Sequence, residues 1–149
     1  MYKRFRNKEA LRIAVARQIW AELIDVVVAS PRLEDAYRRY LRFCEDYPQE
    51  YGVLAAVWSE VLSSEAERPG EVWIRELLSN RYGGRPENYT QAYYAFFFLC
   101  HGAATLINMA TDEGVRAELR ENCIAICDSL IQHMNILQAR AVEATSGRA

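Results

Sequence analysis

Apolar residues return along this chain at the three- and four-residue steps of a helix. After Asn7, the positions Leu11, Val15, Ile19, Leu23 and Val26 make one stripe and Ile13, Ala16, Trp20, Ile24 and Val27 a second. A helix apolar on two sides must be covered on two sides. Asn7 can cap it, and it is predicted to end near Ala29. Ser30-Pro31 then offers an N-cap followed by a proline at the first helical position. The next helix, residues 33 to about 46, sets Leu33, Ala36, Tyr37, Tyr40, Leu41 and Cys44 on one face, with Arg38, Arg39 and Arg42 away from it. Pro48 starts a shorter helix through Leu54, Val57, Trp58, Val61 and Leu62. The polar stretch 63–70, with Pro69-Gly70, reads as a loop, and a brief helix over 71–80 follows. Residues 82–88, with Gly83, Gly84 and Pro86, are the clearest break and the best candidate for a mobile loop, although their length suits a plain connection equally well. Two long helices close the pattern, over 88–110 and 112–141. Thr111 caps the second, and Asp112 and Glu113 favour its positive end.

Composition agrees with that pattern. A chain of 149 residues, 51% of them hydrophobic, can bury one substantial core and is short for two. With only seven glycines and four prolines it lacks the turns of an all-β fold, so the expected class is all-α. There is no internal repeat. The net charge of −2 conceals a split: residues 1–20 carry Lys3, Arg4, Arg6, Lys8, Arg12 and Arg17 against Glu9 alone. One end can therefore meet phosphates, although a solvated basic helix end gives the same pattern. The cysteines, Cys44, Cys100, Cys123 and Cys127, form no CxxC pair and follow no secretory signal, which points to a reducing cytoplasm. Cys123 and Cys127 share a helix face, and His101 or His133 could complete a metal site. Zinc ligands are normally paired more tightly, so the four read as small buried apolar residues and no metal or cofactor is expected. The apolar run 93–109 contains His101, Gly102 and Asn108 and is short for a bilayer span, so it reads as a buried helix with no membrane partner.

The last two helices hold more apolar surface than a modest domain covers easily. The first is apolar nearly all round, and Gly102-Ala103-Ala104 lets a neighbour come close. The second places Val115, Leu119, Ile126, Leu130 and Leu137 on one side and Ile124, Cys127, Ile131 and Met134 on the adjoining one. Pairing two copies into a four-helix bundle would bury the excess, with Phe96, Gly102, Ala103, Leu119, Ile126 and Leu130 as expected interface residues. A monomeric core is the alternative.

Three segments carry a family resemblance. Tyr2-x-x-Phe5-x-Asn7-Lys8-Glu9-x-Leu11, running into a long helix, resembles the junction of recognition helix and connecting helix in TetR-family transcriptional regulators. Phe43-Cys-Glu-Asp-Tyr47-Pro48-Gln-Glu50-Tyr51, and later Phe97-Phe98-Leu99-Cys100-His101-Gly102-Ala103, resemble two landmarks of a subgroup of their C-terminal domains. That subgroup commonly has a tryptophan a turn before the histidine, where this chain has Phe97.

The resemblance implies a multi-helix regulatory domain whose last two helices form a dimeric four-helix bundle. Residues 1–6 would be a remnant of a helix-turn-helix, 7–143 the ligand-binding and dimerisation domain, and 144–149 a frayed tail. It assigns Tyr2 and Lys8 to operator phosphates, Lys8 beside a helix N-terminus, with Lys3 able to add to them. Base reading would fall before Met1, so this chain would bind operator DNA specifically only with those helices present. A small apolar or aromatic effector would lie in the body. Candidate lining residues are Trp20, Tyr40, Trp58, Tyr94, Phe98 and His101, each of which also makes an ordinary core residue. The implied function is a ligand-responsive repressor acting as a homodimer. The alternative is a stand-alone ligand-binding or dimerisation module without specific DNA binding. An enzyme is not expected, since no GxSxG, metal-ligand pair or glycine-rich phosphate loop occurs.

Overall fold

The computed structural model describes residues 5–63 and 68–134. The expectations for Tyr2, Lys3, residues beyond 134 and the tail fall outside them. The described residues are all-α: α1 (Lys8–Val28), α2 (Leu33–Asp46), α3 (Pro48–Ala56), α4 (Trp58–Ser63), α5 (Pro69–Tyr82), a 3-10 turn (Pro86–Tyr89), α6 (Thr90–Met109) and α7 (Glu113–Gln132).

Helix α1 begins where Asn7 Oδ1 accepts the Ala10 N–H at 2.8 Å, satisfying one of the donors that a helix start leaves free. It packs against α2, α3, α4 and α5 through Ala16, Ile19, Trp20, Leu23, Ile24 and Val27. The two predicted stripes merge into one broad buried face, because Val15 and Val26 at its margins stay 43% and 38% exposed. Helix α2 has the predicted bounds and buried face, but its cap differs. Arg32, in extended conformation, precedes the first helical residue, so Pro31 lies outside the helix and Ser30 does not cap it. Ser30 instead follows the end of α1, its N–H bonded to Val27 O.

The single helix expected after Pro48 is broken. Val57 leaves helical geometry (φ −130°, ψ 30°) while burying its side chain, and α4 restarts at Trp58. Neither glycine nor proline marks the break, so periodicity carried no sign of it. Helix α5 begins earlier than expected, with Pro69 in its first turn, and ends at Gly83 and Gly84, whose φ of +81° and +80° suit glycine alone. The segment after it, which the sequence left open between a mobile loop and a plain connection, is tied down in several places. Ser79 Oγ donates to Gly84 O, the Tyr89 hydroxyl to Gly83 O, and Arg75 Nε to Pro86 O.

Helices α6 and α7 form an antiparallel hairpin across a three-residue connection, 110–112. Asp112, not Thr111, caps α7: its Oδ1 accepts the Val115 N–H at 2.9 Å. Charged side chains clamp α2 to its neighbours. Arg38 pairs with Asp128 on α7 at 3.0 Å, Arg81 on α5 with Glu34 at 2.7 Å, and Arg120 on α7 with Glu45. The Tyr37 hydroxyl also donates to Asp128. The segment Pro86–Met109 is long and apolar enough to cross a membrane by length and composition; here α6 packs on α2, α5 and α7.

Candidate functional site

Four helices leave a space between them. Trp20, Ile24 and Val27 from α1, Leu33, Tyr37 and Tyr40 from α2, Gly70 and Ile74 from α5, and Tyr93, Phe96, Phe97 and Cys100 from α6 line a cavity of about 50 Å³. That is room for a few waters at roughly 10–15 Å³ each. Gly70 sets how closely α5 approaches α1, since a Cβ there would lie 2.9 Å from Ile24 Cδ1.

The wall is almost wholly apolar. The indole Nε1 of Trp20 and the hydroxyl of Tyr40 are buried with no hydrogen-bond partner. Burial, and then the neighbouring Tyr51 hydroxyl, push the Tyr40 phenol well above its ordinary range. An unsatisfied buried polar group costs about 1–3 kcal/mol.

Behind this wall stands an aromatic stack. Trp58, Phe97 and His101 lie near-parallel, with Trp58 and His101 centroids 4.7 Å apart at 11° and Trp58 and Phe97 5.5 Å apart at 14°. Trp20 meets Trp58 edge-on at 4.8 Å. The Tyr51 hydroxyl lies 2.7 Å from His101 Nδ1 and 3.3 Å from the His101 backbone carbonyl. Burial lowers the His101 pKa and raises that of Tyr51 to about 12, so both side chains stay uncharged near neutrality.

The six residues named from the sequence therefore divide. Trp20 and Tyr40 line the cavity. Trp58 and His101 form the layer behind it. Half-buried Tyr94 accepts a hydrogen bond from Arg68 Nη1 at 2.9 Å and does not line the space. Phe98 is 65% exposed and faces outward; in a helix apolar nearly all round, the sequence could not say which side the fold would leave bare. Residues not singled out contribute as much. Phe97 and Cys100 belong to the same helical face of α6 as His101, but Gly70 and Ile74 come from a helix that gave no hint of contact with α1.

The expected interface residues divide as well. Phe96 is 3% exposed and stacks on Tyr37 at 6.3 Å, so it belongs to the protomer's own core. Ala103, Leu119 and Leu130 are partly buried against that core, whereas Gly102 and Ile126 are exposed. Lys8 is exposed in the first turn of α1.

A second group of side chains gathers at the α6–α7 seam. The Sγ atoms of Cys100, Cys123 and Cys127 lie within 4.8 Å of one another, and all three residues are buried. Hydrogen bonds from Cys100 and then Cys127 hold the Cys123 thiol below its ordinary pKa against the cost of burial. Cys44 is buried apart from them.

Fold and site together define an all-α domain with a small apolar cavity between its helices. Comparison with protein-family models, curated proteins and solved structures gives no match.

Proposed function

We propose that this chain is the effector-binding and dimerisation body of a ligand-responsive transcriptional repressor of the TetR type. The observation that carries the reading is the cavity itself, with aromatic side chains of α1, α2 and α6 as its walls, Trp20 and Tyr40 among them. A small apolar or aromatic molecule bearing a hydrogen-bond acceptor suits such walls, and once they part it could reach the Trp20 Nε1 and the Tyr40 hydroxyl, both buried without a partner. The cavity is small, so such a ligand must part its walls, and two of those walls are α1 and α5.

Helix α1 is the connecting element in this reading. A ligand that prefers a wider cavity shifts the population toward a tilted α1, whose N-terminus carries Lys8 toward operator phosphate. Two copies joined through α6 and α7 hold two such ends at a fixed separation, and operator half-sites tolerate little change in it. The outward side of the hairpin supports pairing. Phe98, Leu106 and Met109 on α6 are 65%, 53% and 74% exposed, and Val115 and Ile126 on α7 are 45% and 47% exposed. Apolar area of this kind is what a two-fold bundle covers.

The test is a thermal-shift screen of small aromatic acceptors against the chain and its Tyr40→Phe variant. Hits that raise Tm in the first and lose most of that shift in the second are expected. If none shifts Tm, or if those that bind leave operator release by the complete regulator unchanged, the reading is wrong.

A further inference from the structure

The thiol cluster is not explained by the cavity or by pairing of copies. Its three sulfurs come from two helices, two of them one turn apart on α7 and the third across the seam on α6. We propose that Cys100, Cys123 and Cys127 form a three-thiolate site for a trivalent thiophilic metalloid of the arsenite class.

Ligand number, charge and access select that class. No histidine or carboxylate joins the cluster among the described residues. His101 Nδ1 is engaged by Tyr51, and His133 Nδ1 lies against Ser129 O on an exposed turn. Zinc in closed protein sites takes four ligands. A divalent ion on three thiolates would also leave a net negative charge in a buried seam, which is costly without a partner. A trivalent centre on three thiolates is neutral. The exchange balances without a co-reactant: arsenous acid, As(OH)3, meets three thiols, three As–O bonds break as three As–S bonds form, and each thiol proton leaves with a hydroxyl as water. No atom changes oxidation state.

The geometry is close to what this requires. With metal–sulfur bonds of about 2.3 Å, three sulfurs around one centre stand no more than about 4 Å apart. From an outer limit of 4.8 Å, side-chain rotation can supply the contraction. Cys100 also forms part of the cavity wall, which gives the cluster an approach from inside the fold. The proposal does not depend on the regulator reading, since the cluster exists whether or not the cavity takes an effector.

The test uses the reduced full chain and sodium arsenite. Native mass spectrometry is expected to show one added arsenic with the loss of three protons, and arsenic X-ray absorption three sulfur neighbours and no oxygen. Replacing Cys100, Cys123 or Cys127 by alanine should weaken binding at least tenfold, while Cys44→Ala leaves it unchanged. Because a core variant can unfold, circular dichroism accompanies each, and the sulfur count on the unaltered chain decides independently. Two sulfurs or fewer, equal loss in Cys44→Ala, or tighter binding of zinc than of arsenite overturns the assignment.

Discussion

Tyr40 and Tyr51 are both buried tyrosines, and their hydroxyls have opposite fortunes. That of Tyr51 is hydrogen-bonded to His101 Nδ1, while that of Tyr40 has no partner. Tyr51→Phe leaves the imidazole nitrogen without its partner and should cost about 1–2 kcal/mol, read as a lower urea midpoint. Tyr40→Phe removes an unsatisfied group, so the ligand-free chain should be equally stable or slightly more so; a loss above about 1 kcal/mol would show that the hydroxyl is satisfied after all. His101 predicts a pH dependence. Burial depresses its folded-state pKa below the ordinary 6.5, so the unfolded chain takes up a proton first as the solution is acidified. Stability from this residue is present above about pH 6.5 and is lost as pH falls through the depressed folded value. His101→Gln should flatten that part of the profile while leaving the carboxylate-driven loss at lower pH. Identical profiles in the two proteins would exclude His101 as the group responsible.

At the scale of elements, the fold depends on helix ends and on close approaches that single residues permit. Asp112 is the side-chain cap of α7, and Asp112→Ala should cost about 1 kcal/mol. Asp112→Asn caps nearly as well and should restore most of it, which separates capping from loss of charge; a chemical-denaturation series of the three proteins measures both. Gly70→Ala tests the approach of α5 to α1. The atom its Cβ would press on, Ile24 Cδ1, is the mobile end of a side chain that lines the cavity. The substitution should leave stability within about 1 kcal/mol, as small overpacking does when a neighbour can move. It should weaken any cavity ligand by narrowing the space, and unchanged affinity would place the ligand elsewhere.

For the whole molecule, the outward apolar side of the α6–α7 hairpin is the feature that the single chain leaves unresolved. Leu106→Glu together with Ile126→Glu puts charge on both helices at exposed positions, so neither should disturb the protomer core. Sedimentation equilibrium should show the unaltered chain as a dimer and the double variant as a monomer of unchanged helicity. A monomer in both at high micromolar concentration would remove pairing from the proposed function.

Periodicity determined much of this protein by itself: the all-α class, the bounds and buried face of α2, and the existence of α1, α6 and α7. These are local matters, because which residues share a helical face follows from spacing alone. Capping was less legible, since α2 starts from Arg32 with no side-chain cap while Pro31 lies outside it, and Asp112 takes the place expected for Thr111 on α7. Only tertiary structure decided which side of each apolar helix faced the core. Phe96 and Phe98, two residues apart on one helix, end at 3% and 65% exposure for that reason. The same holds for the three cysteines. Sequence placed Cys123 and Cys127 on one face and called them ordinary core residues, and only the docking of α6 brought the Cys100 sulfur beside theirs. Helical spacing fixes what a helix can present, whereas the packing of its neighbours fixes what it presents it to.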